Sequence, residues 1–141
     1  INKLKLADRV TLHGNLDKDA VNQMLVDSDL LCLPSTERAE AFGLVILEAS
    51  RVATPSLVTN VKGSGMAWVV EDGITGVVVS ANNHTAIEQK LIQLDKDREW
   101  LWLAGKAARS RFLDHFLIEK SSIDICNAYW KSFSKSSRSE A

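Results

Sequence analysis

Residues 34–50 read PSTERAEAFGLVILEAS, and the two apolar runs that this stretch joins indicate the type of fold. The first run, Leu30–Leu33, is short and is stopped by Pro34, which is typical of a strand covered on both faces. The second run, Gly43–Ala53, is long enough for an apolar helix and ends at Thr54-Pro55. The stretch therefore predicts a strand, a polar loop and a buried helix.

The same alternation continues on both sides of this stretch. Val10–Leu12 predicts a short strand that ends at Gly14, and Ala20–Asp27 has the apolar spacing of a helix. Ser56–Thr59 and Gly76–Val79 predict two further strands. Strands that alternate with helices indicate an α/β fold with a parallel sheet and flanking helices, and ligands bind such sheets at the carboxyl ends of the strands.

The chain is predicted to become helical after residue 80. Helical spacing covers Asn83–Asp95, the segment around Trp100, and a last helix through Trp130. The aromatic residues of these helices, Trp100, Trp102, Tyr129 and Trp130, are predicted to be packing residues, with a domain outside this chain as one packing partner. Residues 1–134 are predicted to form a single domain, and residues 135–141 a flexible tail.

Composition excludes several classes of protein. The 141 residues carry 17 basic and 18 acidic side chains, and this balance argues against a nucleic-acid binder. No apolar run reaches the ~20 residues of a membrane span. The two cysteines, Cys32 and Cys126, encode neither a disulfide scaffold nor a zinc site, and Cys32 is expected to be buried and inert. This use of cysteine indicates a domain from a reducing compartment. Because the chain begins at Ile1, we expect a piece of a longer protein.

Two glutamates flank the start of the predicted helix. Glu48 lies in an apolar run, so it should find partners or face a pocket, while Glu40 lies just before the helix. Gly43 lets a ligand approach the backbone, and the first turn of a helix binds anions. These features fit a sugar joined to a diphosphate. The alternative is structural: Glu40 stabilises the start of the helix and Glu48 pairs with a local Lys or Arg.

The segment EAFGLVILE, residues 40–48, resembles the E-x7-E signature of the retaining glycosyltransferases of family 4, which have the GT-B fold. The resemblance extends from about residue 8 to residue 80. Its further segments are VTLHGNL (10–16), DLLCLPS (29–35), PSLVT (55–59) and EDGITGVVV (71–79). They follow that family's order and spacing, which makes the match far more specific than two glutamates alone.

The resemblance implies the C-terminal, Rossmann-like domain of such an enzyme, without its first strand. That domain binds the nucleotide-diphosphate sugar from which a hexose-type sugar is transferred. By the same resemblance, Glu40 contacts the donor sugar as the catalytic residue, and Glu48 binds the nucleotide ribose. The backbone of Phe42, Gly43 and Leu44 meets the sugar and the distal phosphate. The family's diphosphate-binding Arg and Lys would lie before residue 1.

Four more residues are predicted to bind the donor. His13 and Gly14 end the first predicted strand, and Ser64 and Gly65 lie in a glycine-rich loop whose amides could cradle a phosphate. A structural histidine and a plain turn are the alternatives for these pairs. Trp68 departs from the family pattern, because many members carry Glu there, although a bacterial subset has Trp.

The resemblance also implies partners and a location. These are a nucleotide-sugar donor, a glycan or lipid-linked acceptor in polysaccharide or lipopolysaccharide synthesis, and the N-terminal domain. We expect no metal and no other cofactor, and a place in the cytoplasm or at the inner face of the membrane. A non-catalytic module that binds a nucleotide or sugar phosphate is one alternative. The other is a structural domain whose Trp-rich helices dock a partner.

Overall fold

The computed structural model of the chain describes residues 1–136. A short 3-10 turn, Asn2–Leu4, opens this part of the chain. The strands that follow are β1 (Leu31–Leu33), β2 (Ser56–Asn60) and β3 (Gly76–Ser80). The helices are α1 (Lys18–Asp27), α2 (Leu44–Arg51), α3 (Met66–Val69), α4 (His84–Asp95), α5 (Arg98–His115) and α6 (Ile118–Ser136).

The strands form one parallel sheet in the order β1–β2–β3. In its register Cys32 lies opposite Leu57, and Leu57 lies opposite Val77. α2 connects β1 to β2, and α3 lies in the connection from β2 to β3, so each parallel pair is joined by a helical crossover. The predicted α/β architecture, a Rossmann-like parallel sheet with flanking helices and a helical C-terminal end, is confirmed.

The central strand β2 separates two apolar cores. Because successive side chains of a strand point to opposite faces, the neighbours Val58 and Leu57 belong to different cores. The Val58 core also contains Ile46, Met66, Val69 and Val70. The Leu57 core also contains Val77, Val79, Leu94 and Leu101. α2 and α3 thus cover one face of the sheet, while α4 and α5 cover the other.

The predicted strand at Val10–Leu12 is wrong in this structure. Residues 10–14 form no strand, and the side chains of Val10 and Leu12 are 40% and 81% exposed. A strand needs a neighbour that satisfies its backbone N–H and C=O groups. In the described part of the chain β1 pairs only with β2, so the apolar pattern at residues 10–12 has no partner.

β1 is less covered than predicted. Leu31 and Leu33 are half-buried, but Cys32 between them is exposed, so only one face of this strand is packed. The atoms around the thiol still desolvate it in part, and this desolvation raises the pKa of Cys32 above its ordinary value. The expected buried position of Cys32 is therefore wrong.

The turn after α2 fixes the position of α5. Ala53 has a left-handed φ of 64°, although it is not a glycine. A Cβ on Gly105 of α5 would lie only 2.1 Å from the carbonyl oxygen of Ala53. Only glycine allows this approach, so α5 and the end of α2 are held at one fixed distance.

The predicted helices after residue 80 are confirmed as α4, α5 and α6. Trp100 packs against the Leu57 core, but Trp102 is 60% exposed, with Lys106 Nζ 3.5 Å from its ring centroid. Residues 135 and 136 belong to α6, and the rest of the predicted tail, residues 137–141, lies outside the described residues. Among residues 1–136, no helix is long and apolar enough to cross a membrane.

Candidate functional site

The side chain of Glu40 holds the loop that leads into α2. Its carboxylate Oε1 accepts a hydrogen bond from Gly43 N at 2.9 Å, and no bond to Oε2 is present among the described residues. Gly43 has a φ of 77°, and a Cβ there would lie 2.6 Å from Ile46 Cδ1, so the turn requires glycine. Glu40 therefore does stabilise the start of the helix, as the structural alternative proposed, while one carboxylate oxygen stays available. We call residues 40–43 the Glu40 loop.

The glycine-rich loop braces the Glu40 loop. Ser64 Oγ donates a hydrogen bond to the Glu40 carbonyl at 2.8 Å, and Gly65 N donates to the Ala41 carbonyl at 2.7 Å. The N–H of Ser64 donates to the Val61 carbonyl at 3.0 Å. The amides of Ser64 and Gly65 are therefore bonded inside the protein, and these two residues support the Glu40 loop.

Three aromatic rings close the same side of the loop. Phe42 of the Glu40 loop lies 6.2 Å from Trp68 of α3, and Trp68 lies 5.4 Å from Phe116 in an edge-to-face contact. Trp68 is nonetheless 61% exposed. These ring contacts fix the side chain of Phe42. They therefore also hold the backbone of the Glu40 loop close to the start of α2.

The N-terminal end of α2 is open to solvent. Helix geometry leaves the first N–H groups without intrahelical partners; that of Gly43 is bonded to Glu40, which leaves those of Leu44 and Val45. Leu44 is 69% exposed, so a ligand can reach this end of the helix. Free N–H groups and the positive end of the helix dipole suit a phosphate.

Glu48 lies on an outer face of α2, contrary to the prediction that this helix is buried all round. Ile46, Ala49 and Ser50 are buried on the inner side, whereas Glu48 is exposed. Leu44 and Glu48 are four residues apart, so they share one face of the helix. The run GLVILEA hides this division, because the exposed Leu44 is as apolar as the buried Ile46.

A groove runs between this face of α2 and α1. Its volume is about 570 Å³, and it is lined by Lys18, Val21, Asn22, Leu25, Glu48 and Arg51. We call it the Glu48 groove. Two of the lining side chains are cationic and Glu48 is the one carboxylate, so the groove is suited to a ligand that combines hydroxyls with negative charge.

Glu48 has no partner of its own in this groove. It makes no hydrogen bond or ion pair within residues 1–136. Arg51, one turn further along α2, instead donates to Asn22 Oδ1 at 2.5 Å. The structural alternative, a Glu48 paired with a local cation, is therefore not what the structure contains.

Sequence reasoning did not find the residues of α1 that line the groove. Lys18 and Asn22 belong to α1. The spacing of apolar residues in this helix predicts its buried side, which contains Leu25, but says nothing about its polar side. Arg51 carried a usable signal, because it lies three residues after Glu48 and so faces the same way on a helix.

The structure does not bring His13 and Gly14 to the Glu48 groove. Neither residue lines it, His13 is exposed, and nothing lies within 4 Å of a Cβ placed on Gly14. Both follow a segment that forms no strand, so their predicted contact with a donor stays a prediction.

A second, smaller groove lies at the carboxyl ends of the strands. It measures about 230 Å³, and its polar lining consists of Thr36, Thr59, Asn82 and His84. Within residues 1–136 no group of three or more His, Cys, Asp or Glu side chains is arranged to hold a metal ion.

Comparison with known proteins identifies one family. The profile of the family described as "Glycosyl transferases group 1" matches residues 1–111. The N-acetyl-alpha-D-glucosaminyl L-malate synthase of Bacillus anthracis is 35% identical over 120 residues, which cover 85% of this chain and 30% of that protein. The chain thus spans about a third of this relative's length.

Solved structures agree with the fold. The sucrose-phosphate synthase of Thermosynechococcus elongatus matches 95% of this chain and 33% of its own, with a TM-score of 0.82 and 26% identity. The Anabaena protein HepE, crystallised with UDP and glucose, matches 92% of this chain and 34% of its own. Its TM-score is 0.80, and at 22% identity it supports the fold alone.

Proposed function

Because this chain belongs to the glycosyl transferases group 1 family, we propose that it is the donor-binding domain of a retaining, family 4 glycosyltransferase. The longer enzyme would move a hexose-type sugar from a nucleotide-diphosphate sugar to a glycan or lipid-linked acceptor. The observation that carries the proposal is Glu48, an unpaired carboxylate in a groove beside the open end of α2. A carboxylate in that position is free to accept hydrogen bonds from two ribose hydroxyls.

In this proposal the nucleoside lies in the Glu48 groove. The ribose hydroxyls donate to Glu48, while Lys18 and Arg51 add positive charge near the nucleotide. Glu48 is the fifth residue of α2, so the rise of the helix places it about 6 Å along the axis from Leu44. A diphosphate attached to the ribose can span that distance to the N–H groups of Leu44 and Val45.

The sugar would then meet the Glu40 loop. Glu40 keeps one carboxylate oxygen on Gly43 N, and its second oxygen is available to a sugar hydroxyl. Since Phe42 and Gly43 are fixed by ring contacts and by the tight turn, their backbone forms a preorganised wall for the sugar. His13, Gly14, Ser64 and Gly65 remain in the proposal, the last two as supports of this wall.

The helix end contributes to the transfer step. The bond between the anomeric carbon and the diphosphate oxygen breaks, so negative charge collects on the leaving diphosphate. The oxygen of an acceptor hydroxyl bonds to that carbon, and its proton passes to the leaving diphosphate. N–H groups and the helix dipole at Leu44 and Val45 stabilise that charge, so we propose a reaction without a metal ion.

Transfer requires more than this chain. We propose that the acceptor site and further diphosphate-binding groups belong to another part of the protein, so that the chain binds donor and does not transfer sugar alone. We also propose polysaccharide or lipopolysaccharide assembly as the pathway, in the cytoplasm or at the inner membrane face. HepE, which shares the fold, was crystallised with UDP and glucose, and a nucleotide sugar of that kind is the donor that we propose here.

One observation favours a second function, a binding module without chemistry. The Glu40 carboxylate is already bonded to Gly43 N, as a purely structural residue would be. Such a module would bind the nucleotide at Glu48 as strongly as an enzyme does. Its complete protein would release no nucleotide diphosphate from a nucleotide sugar when acceptors are supplied, whereas the proposed transferase would.

Saturation-transfer NMR tests the proposal on the chain itself. The probes are UDP-glucose, GDP-mannose and ADP-glucose at millimolar concentration, with Glu48→Ala as the test variant. Glu88→Ala, which changes an exposed glutamate of α4, is the matched control. We expect one probe to give strong signals from its ribose protons, with loss in Glu48→Ala and none in Glu88→Ala. Absence of signal from all three probes would contradict the proposal.

A further inference from the structure

We propose that Arg111 is a positioning residue that sets the Glu40 loop for the sugar end of the donor by acting through α3. The inference rests on the proposed function and adds a residue, 71 positions after Glu40, to the machinery of the same site. Nothing in its surroundings in the sequence marks Arg111 as different from the other basic residues of α5.

Arg111 uses its whole guanidinium group on the end of α3. Nε donates to the Val69 carbonyl at 3.1 Å, Nη2 donates to the Trp68 carbonyl at 2.9 Å, and Nη1 lies 3.5 Å from Glu71 Oε2. The Arg111 side chain is 23% exposed. The last carbonyls of a helix have no partner within it, so this side chain satisfies groups that α3 leaves open.

The other end of α3 is bonded to the Glu40 loop. Gly65, which precedes the helix, donates its N–H to Ala41, and Ser64 donates its hydroxyl to the Glu40 carbonyl. A helix of four residues has little stability of its own. α3 therefore connects Arg111 to the Glu40 loop: Arg111 binds the C-terminal end of α3, and the residues just before its N-terminal end bind the Glu40 loop.

Ring packing joins the same elements. Trp68, whose carbonyl Arg111 binds, carries the ring that contacts Phe42 of the Glu40 loop. Phe116, just after α5, contacts both of those rings, at 5.4 Å from Trp68 and 6.4 Å from Phe42. A displacement of the end of α3 would therefore move Phe42.

α5, which carries Arg111, has a fixed position relative to α2. Gly105 lies against the carbonyl of Ala53, so α5 cannot shift towards the end of α2. Arg111 is six residues further along the same helix, and its three acceptors match a planar guanidinium. A lysine at this position has one compact ammonium group and can satisfy only part of that set.

Arg111 is connected to the Glu40 loop through α3, but it has no such connection to the Glu48 groove. No residue that lines the Glu48 groove lies in α3 or α5, so removal of Arg111 should disturb the sugar end of the donor and spare the nucleoside end. A residue that supports the fold in general would affect both ends together.

The test measures both ends of one ligand. Saturation-transfer NMR is recorded on the chain with UDP-glucose, GDP-mannose and ADP-glucose, for the wild type, Arg111→Met and Arg111→Lys. Arg109→Met is the matched control, because Arg109 lies on α5, is exposed, and makes no hydrogen bond or ion pair within residues 1–136. Glu71→Gln is a milder variant that removes only the ion pair, and circular dichroism melting checks that each variant is folded.

We expect Arg111→Met to lower the ratio of sugar-proton to ribose-proton signals severalfold, because the sugar protons lose their close contact with a fixed Glu40 loop while the ribose contacts at Glu48 are kept. Arg109→Met should leave the ratio unchanged, and Glu71→Gln should lower it less. Arg111→Lys should restore less than half of the loss; full restoration would mean that only the positive charge matters and would overturn the inference. An unchanged ratio, or an equal loss at both ends in folded protein, would also overturn it. Silence of the wild type with every probe would overturn the proposed function as well.

Discussion

Two glutamates belong to the α2 region, and their surroundings differ: Glu40 lies four residues before the helix begins, and Glu48 is the fifth residue of the helix. At the N-terminal end, Glu40 is half-buried and bonded to Gly43, and its loop is braced by Ser64, Gly65 and ring contacts. Five residues into the helix, Glu48 is exposed in an open groove and has no partner within residues 1–136. One carboxylate is part of the structure, and the other is left free.

The difference suits two tasks on one ligand. A group that must meet a reacting sugar gains from being fixed before the ligand arrives, because less ordering is then required in the transition state. A group that recognises ribose hydroxyls needs only to be accessible and free to accept hydrogen bonds. The contrast predicts that changes at the Glu40 loop cost stability, whereas changes at Glu48 cost binding.

The largest expected effect is that of Gly43→Ala in the Glu40 loop. A Cβ there meets Ile46 Cδ1 at 2.6 Å and forces alanine into a φ of 77°. The left-handed backbone and the overpacking together should lower the free energy of unfolding by about 2–4 kcal/mol, measured by urea denaturation.

Gly73→Ala is the matched control for that variant. Gly73 has the same φ of 77°, but nothing lies within 4 Å of its Cβ position. It should lose only the backbone part, about 1–2 kcal/mol. Equal losses in the two variants would mean that the Glu40 loop is not tightly packed.

The next largest effect is expected in the Glu48 groove. Glu48→Ala should weaken binding of the preferred nucleotide by about tenfold or more, because two hydrogen bonds to a charged acceptor are lost. Its free energy of unfolding should change by less than about 0.5 kcal/mol, as for other exposed positions. Titration by NMR measures the affinity, and urea denaturation measures the free energy of unfolding. A large loss of stability with unchanged binding would mean that Glu48 is a structural residue and does not bind the nucleotide.

Glu40→Ala should have a smaller effect, mainly on stability. Loss of the bond to Gly43 N resembles loss of a helix cap and should cost about 1 kcal/mol in urea denaturation. Glu37→Ala, three residues earlier in the chain and exposed, is the control and should be neutral. If the two variants unfold at the same urea concentration, the bond from Gly43 N to Glu40 does not stabilise the start of α2.

Arg51→Met should have the smallest effect of the series. It removes the exposed bond to Asn22 and one positive charge of the groove. Exposed polar pairs contribute about 0.2–1 kcal/mol, so we expect nucleotide affinity to fall by no more than about fivefold, and less at high salt. A loss of affinity as large as that of Glu48→Ala would mean that Arg51, and not Glu48, is the main residue that recognises the nucleotide.

Most of the fold could be predicted from the sequence, because the buried elements have clear apolar patterns. β2 and β3 are apolar runs bounded by turn residues, and both are where the pattern places them. Val10–Leu12 has the same pattern without a neighbouring strand in the described residues, and a strand pattern does not report whether a partner exists. Cys32 is exposed for a related reason: apolar letters do not say which face of an edge strand is covered.

The site was predictable where one short segment carries it. Glu40, Gly43 and Glu48 stand within nine residues, so their spacing along the chain nearly gives their spacing in space. The contacts of Ser64 and Arg111 with this segment join residues far apart in sequence. No local pattern shows that the amide of Gly65 is used within the protein or that Arg111 holds α3.

The central claim is that one nucleotide sugar lies along α2 from the Glu40 loop to the Glu48 groove. Its most direct test is a titration of the ¹⁵N-labelled chain with the preferred nucleotide sugar, followed by two-dimensional ¹H–¹⁵N NMR. We predict saturable shifts of the backbone amides of Leu44 and Val45 together with the side-chain amide of Asn22. Saturable shifts confined to the smaller groove at Asn82 and His84, with α2 unaffected, would contradict the claim.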